Sequence, residues 1–304
     1  MPVPSRFILH QGPVISGLGR ALVASIVNRR RRGGGSVSVP GPMIEEVIPP
    51  RPRDLVRCYV ATVGGDPGAY KQTLPPHLFP QWGFPLASRC LSVLDYPLQR
   101  GLNAGCRIEV KGPLPQGEPL HVRARIEEID DDGYRAIVRT RIWTGTASAP
   151  DAVIGDLSAI FPLKKRPDGG KKERPRVPEE ARELRFFRLG PSAGLEFAKL
   201  TGDFNPIHWI PAAARASGFR NVILHGFGTL AHACEGLNRA LFSGDVTALE
   251  SIDVRFTSPL VLPAKVGLYL DGDHIFVGDA PGGRAYLTGT IRGSIAGAHI
   301  GSPS

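Results

Sequence analysis

Cysteine is scarce and scattered in this chain. There are four, Cys58, Cys90, Cys106 and Cys234, with no CxxC pair and no Cys/His spacing of a zinc site. That excludes a disulfide scaffold and a zinc module, and four free thiols point to a reducing compartment, read here as cytoplasmic. Long apolar runs are also missing. The best N-terminal stretch, 14–27, is shorter than the ~20 residues a span needs, and Arg20 and two glycines interrupt it. Its positive charge follows the apolar stretch and no small-residue cleavage site is clear, so a secretory signal is not expected. Acid is short relative to base, giving a net charge of +9. That surplus suits an anionic partner: nucleic acid, a lipid surface or a phosphate-bearing ligand. The basic runs 29–32 and 164–172 carry no interleaved aromatics and sit in no recognised motif, so nucleic acid is not the expected partner. They read as solvated charge. A helix over 19–32, basic at its end, could lie on a membrane surface; a tail or a packing helix is the reading preferred.

What the chain does have is length and two polar interruptions. At 304 residues it can bury one large core or two ordinary ones. Segment 29–35 (RRRRGGG) has the composition of a flexible connector, and 164–178 is too polar and too rich in Pro and Gly to pack a core. The expected organisation is an N-terminal tail (1–41), partly flexible and with 1–35 dispensable for chemistry, a first unit (42–163), a basic linker (164–182) and a second unit (183–304). The two units repeat weakly. Ile108-Glu109-Val110-Lys111 precedes Pro113-Leu114, and Ile252-Asp253-Val254-Arg255 precedes Pro259-Leu260. Alternating strands follow in each, at 121–129 and 134–143, and at 265–270 and 284–291. Helical spacing marks 191–200, and 227–241 is the strongest helix in the chain, free of Pro. A long helix followed by antiparallel strands predicts an α+β fold in which a sheet wraps a central helix. The counterpart in the first unit, 73–91, contains Pro75, Pro76, Pro80 and Pro85. Only short turns are expected there, leaving an apolar channel lined by Leu78, Phe79, Trp82 and Phe84.

The chemistry concentrates in 200–230. Asp203 and His208 lie five residues apart around Pro206, which prevents regular helix, so both can face one loop-lined pocket and hold a water. A carboxylate and an imidazole of tuned acidity are the usual means of moving protons near neutral pH. His225-Gly226 opens the long helix. First-turn N–H groups have no intrahelical partner and face the positive end of the dipole, and glycine lets a carbonyl oxygen come close. That arrangement can hold an oxyanion.

The segment Gly202-Asp203-Phe204-Asn205-Pro206-Ile207-His208, followed by Gly218-Phe219, Ile223 and His225-Gly226, resembles the hydratase motif of the MaoC-like dehydratases, a family of hot-dog folds. The first unit has no Asp-x-Asn-Pro-x-His, so the chain resembles the double hot-dog members: two fused hot-dogs, the first with its central helix short or broken, the second keeping the motif. The resemblance implies (R)-specific hydration of a trans-2-enoyl thioester to the (3R)-hydroxyacyl product, or its reverse, without a cofactor or metal. Asp203 and His208 would be the acid–base pair. Asn205 would shape the loop, and Gly226, preceded by His225, would bind the thioester oxygen. The implied partner is an acyl-CoA or acyl-carrier-protein thioester, of medium or long chain if the channel exists, and a homodimer is compatible. Hot-dog thioesterases and a non-catalytic thioester-binding subunit are the alternatives. One departure is visible: Trp209-Ile210-Pro211 stands where many members place an Asp after the histidine's neighbour.

Overall fold

A computed structural model describes residues 2–12, 14–16, 38–164, 173–295 and 298–301. The helix expected over 19–32, the 29–35 connector and 165–172 of the linker lie outside the described residues. Strands β1 (Ile44–Ile48), β2 (Leu102–Val110), β3 (Leu120–Asp131), β4 (Arg135–Gly145) and β5 (Val153–Pro162) come from the first unit. Strands β6 (Arg182–Leu189), β7 (Leu249–Phe256), β8 (Ala264–Asp271), β9 (His274–Gly278), β10 (Ala285–Ile295) and β11 (Ala298–Ile300) come from the second. All are antiparallel in one sheet of order β1-β3-β4-β5-β2-β7-β10-β9-β8-β6, with β11 on β10. The first five repeat the topology of the last five read from the other edge. At the seam β2 pairs with β7, Ile108 opposite Ile252 and Cys106 opposite Val254. The two residues that the sequence repeat aligned therefore face each other across a pseudo-two-fold axis. The third strands of that repeat do not correspond: 134–143 is β4, whereas 284–291 falls in β10, the counterpart of β5. The five-residue β9 was too short to read as a period.

Inward residues alternate along β3 and β4; in β4, Ala136, Val138, Thr140 and Ile142 are buried and the residues between them are not. Helices α1 (Arg53–Thr62), α2 (Pro80–Leu91), α3 (Ala193–Thr201), α4 (Pro211–Ala216) and α5 (Gly226–Ala240) are described, and of these α2 packs on β1, β3 and β4 and α5 on β6, β7 and β10. Leu230, Ala231, Ala233, Cys234 and Leu237 bury α5 on more than one side. One contiguous hydrophobic cluster contains residues of both units.

Three expectations need correction. First, 80–91 is a regular 12-residue helix, shorter than α5 but not reduced to turns. Pro80 sits at its start, where the missing N–H costs nothing. Pro85 forfeits one backbone bond at ~3 kcal/mol, and the burial of Trp82 and Leu86, ~1.5–3 kcal/mol each, offsets it. Second, Leu78, Phe79 and Trp82 fill the core instead of lining a channel. All are at most 1% exposed, and Trp82 Nε1 donates to Thr144 Oγ1 at 3.0 Å. Third, the described parts of the tail and the linker are packed. Val3, Phe7, Gln11 and Val14 are buried, in a 3₁₀ turn at Ser5–Gln11 and just beyond it. Val177 and Ala181 pack with Tyr269 and Ala285, and Arg176 bridges to Arg284. Composition averaged over a window hides single apolar anchors such as Phe7 and Val177. Among the described residues no helix is long and apolar enough to cross a membrane.

Candidate active site

Helix α3 stops because Gly202 adopts φ 84°, a left-handed turn that L side chains rarely take, while its N–H bonds Ala198 O at 2.8 Å. The chain then enters 203–208. Asn205 Oδ1 accepts from Ile207 N at 3.3 Å and so caps a 3₁₀ turn, Pro206–His208. Asp203 Oδ1 accepts from Asn205 N at 3.3 Å, folding the carboxylate back over its own loop. Pro211 takes the first position of α4, which has no side-chain cap; the Trp209-Ile210-Pro211 departure is thus a helix start without an acidic cap.

The loop is clasped to the strand-like segment before α5. Ile223 N donates to Ile207 O at 3.2 Å, and His208 Nδ1 lies 2.9 Å from Ile223 O. A carbonyl can only accept, so Nδ1 carries the proton and Nε2 keeps its lone pair. His225 Nε2 lies 2.9 Å from the Asp203 carbonyl oxygen and 3.9 Å from its Oδ2. By the same logic Nε2 donates, and the buried Nδ1 has no protein partner. The two rings stack with centroids 3.6 Å apart and planes 24° from parallel. Burial is the main cause that lowers the His208 pKa below 6.5, with Asp203 opposing it. Burial and then the neighbouring His208 push His225 down to about 3. Both imidazoles are therefore neutral at pH 7, the form in which a histidine can take a proton. Asp203 retains some exposure, 17% of its side chain, so the group opens toward solvent on its side.

Ligand-type atoms of Asp203, His208 and His225 lie within 4.8 Å of one another. The set does not suit a metal. Stacked rings hold their lone pairs in near-parallel planes, so one ion could not lie in both, and His225 Nε2 already donates to a carbonyl. It suits proton transfer.

Gly226 is the first residue of α5, and His225 before it offers no side-chain cap to the first-turn N–H groups. A Cβ on Gly226 would lie 2.9 Å from the Phe256 ring, so any larger residue must displace that ring as well as crowd the N–H groups. Phe227 meets Phe79, Phe84 and Phe256 edge to face at 6.3, 5.1 and 5.4 Å, which makes the head of α5 an aromatic wall. Cys234, two turns further along, is fully buried, and burial pushes its thiol far up, so it packs as an apolar residue.

The structure thus brings Asp203, His208, Asn205, His225 and the N-terminus of α5 into one group. Sequence reasoning missed Gly194. A Cβ there would lie 2.0 Å from His208 O, so the loop passes directly over the first turn of α3. A glycine inside a helix, where it costs ~1 kcal/mol, was the available signal.

Comparison with known proteins agrees with this geometry. Residues 171–272 match the family model described as the MaoC like domain. The chain is 31% identical over 169 residues to an enoyl-CoA hydratase of Mycobacterium tuberculosis, covering 54% of this chain and 58% of that protein. It is 35% identical over 221 residues to 3-hydroxyacyl-thioester dehydratase X of the same organism, covering 69% of this chain and 75% of the relative. Among solved structures, HtdX of M. tuberculosis superposes with a TM-score of 0.66 at 24% identity, over 83% of this chain and all of that one. A further M. tuberculosis protein, described as a double hot-dog fold, superposes at 0.54 and 11% identity, over 84% and 96%. With its two-unit sheet and its motif, this chain belongs to the MaoC-like dehydratase family, as a double hot-dog member.

Proposed function

We propose that the chain is a hydro-lyase that adds water across a trans-2-enoyl thioester to give the (3R)-hydroxyacyl thioester, or runs the reverse dehydration. The observation that carries the reading is the tautomer of His208: Nδ1–H is tied to Ile223 O, which leaves Nε2 as a proton acceptor, and the ring's ligand-type nitrogen lies within 4.8 Å of an Asp203 carboxylate oxygen. A water held between the two can lose one proton to this pair as its oxygen bonds C3. Electron density then moves to the thioester oxygen, and first-turn N–H groups at Gly226 stabilise the enolate. Return of a proton to C2 completes the addition and leaves the pair unchanged. His225 acts on Asp203 by holding its carbonyl, and it is not the proton carrier because its Nε2–H is committed to that bond and its Nδ1 is buried away from the carboxylate's exposed side.

For the acyl group we place its first carbons against the half-buried rings of Phe84 and Phe256, beside the buried Phe227. The basic surplus suits the phosphates of coenzyme A or of a carrier-protein arm. Four free cysteines, three of them buried, fit a reducing, cytoplasmic setting. The test follows loss of enoyl-thioester absorbance with crotonyl-CoA and ten-carbon enoyl-CoA, alongside free thiol release. Absorbance loss without thiol release, with Asp203→Asn and His208→Asn inactive and an (R)-specific dehydrogenase consuming the product, is the expected result. Thiol release instead would make it a thioesterase.

A further inference from the structure

The turn Ser5–Gln11 packs on α3, and α3 ends at Thr201, two residues before Asp203. We propose that Gln11 is a positioning residue for the Asp203 loop, a carboxamide cap that ties the N-terminal segment and the first unit to the candidate active site. The proposal deepens the hydratase reading and rests on it for its activity readout.

The last carbonyls of a helix have no partner within it. In α3, Gly202 N–H satisfies Ala198 O. Gln11 Nε2 meets the next two, Leu200 O at 3.0 Å and Lys199 O at 3.3 Å, from 189 and 188 residues away in sequence. Its third contact is Phe7 O at 3.3 Å, which fixes the side chain to its own turn. Gln11 is 0% exposed. Its amide orientation is dictated from both ends. The backbone carbonyls can only accept, so the Gln11 nitrogen must face them and its oxygen must face away. That oxygen accepts from Gln81 Nε2 at 3.1 Å, and Gln81 Oε1 accepts from Arg51 Nη1 at 3.2 Å. A guanidinium can only donate. The relay Arg51–Gln81–Gln11–α3 therefore has one direction and no alternative assignment. Arg51 and Gln81 belong to the first unit and α3 to the second.

A second contact reaches the same point. A Cβ on Gly202 would lie 2.6 Å from Val14 Cβ, so Val14 sits directly on the glycine that turns the chain into Asp203. The loop is then held from two sides: Gln11 and Val14 behind it, and His225 Nε2–H on the Asp203 carbonyl in front. Releasing the rear side lets the end of α3 fray and the carboxylate drift from His208. Misplacing a catalytic group by about 1 Å can cost ~10²-fold in rate. A cap that merely stabilised α3 would change folding and leave the chemistry alone, which separates the two roles.

The experiment uses the full chain with Gln11→Met, which keeps the length and burial but removes the amide, and Gln11→Glu, which turns a carboxylate toward three carbonyls. Expected for Gln11→Met is a kcat fall of ~10–100-fold with KM changed by less than about three-fold. Added to Asp203→Asn it should cost little further, because both act through one group. The His225 Nε2–H resonance in a nitrogen-edited spectrum should shift or broaden, a readout that needs no turnover. Gln11→Glu should be worse in each respect. A lowered Tm with kcat, KM and the His225 resonance unchanged would overturn the proposal. If Asp203→Asn itself were fully active the hydratase chemistry would fail, and the resonance alone would still decide whether Gln11 orders the loop.

Discussion

Helices α1 and α3 both lead into a glycine with φ near 84°, Gly64 at 83° and Gly202 at 84°, and each glycine is closely followed by an aspartate. Asp66 Oδ1 accepts from Gly68 N at 2.8 Å, as Asp203 Oδ1 does from Asn205 N. Downstream, Leu74 N bonds Leu114 O at 2.8 Å, and Leu224 N bonds Leu260 O at 2.8 Å. The two units thus share a backbone frame around the aspartate. The chemistry is not shared. After Asp66 the loop runs Pro67-Gly68-Ala69-Tyr70, with no histidine, and Pro75 follows Leu74 where His225 follows Leu224. The nearest histidine, His77, turns inward to Glu235 at 3.0 Å, with Tyr59 OH on its other nitrogen at 3.0 Å. Asp66 is exposed, whereas Asp203 sits beside two stacked, neutral rings. A frame that presents an aspartate is therefore not a site. What the second unit adds, and what the proposed chemistry rests on, is two imidazoles with fixed tautomers, kept neutral by burial.

The largest effect should come from breaking that difference. Asp203→Asn and His208→Asn are each expected to lower kcat by roughly 10²–10⁴, while Asp66→Asn leaves it within about two-fold. Initial rates of hydration measure both, and an Asp66→Asn as damaged as Asp203→Asn would erase the contrast. Next in size is the use the first unit makes of its own histidine. His77 and Glu235 are at most 2% exposed and join the units. Glu235→Leu removes one partner of a buried pair and should cost about 3–5 kcal/mol of stability, read as a lower denaturant midpoint. Turnover well below that midpoint should persist.

The smallest effect is one of pH. His225 has a folded pKa of about 3 against 6.5 as its ordinary value, so between those limits the unfolded chain binds more protons. Stability is full above pH 6.5 and declines as the pH falls toward 3. From pH 6.5 to 5 this group alone should account for up to about 2 kcal/mol. Thermal unfolding at the two pH values, with His225→Asn flattening the decline, checks it; an equal slope in the variant would place the linked proton elsewhere. His208, also lowered, puts the acid limb of kcat/KM below pH 6.5.

Much of the site was legible before any coordinates. The Asp203–His208 spacing around Pro206 is local, and His225-Gly226 was joined to it by the resemblance of the whole segment to the family motif. The repeat aligned Ile108 with Ile252, but that their strands pair at the seam is a finding of the structure. The Pro-rich helix was underestimated for a physical reason. Propensity counts the lost bond at Pro85 but not what Trp82 and Leu86 gain on burial, and that gain comes from β3 and β4, distant in sequence. The N-terminal segment was misread for a related one: Gln11 has no local signal, since its partners are main-chain carbonyls of α3 and the side chain of Gln81.

By itself, then, the sequence determined the fold class, a weak repeat of two strands in each unit, the loop that carries Asp203 and His208, and the helix that begins at Gly226. These rest on periodicity, turn chemistry and short spacings, all of which act over a few residues. Only the tertiary structure decided which nitrogen of each imidazole holds a proton, because the deciding carbonyls, Ile223 O for His208 and Asp203 O for His225, are 15 and 22 residues away. It also decided that Leu78, Phe79 and Trp82 fill space instead of enclosing it, and that Gln11 closes the end of α3. Burial and hydrogen-bond direction are properties of an assembled neighbourhood, and no window of sequence contains one.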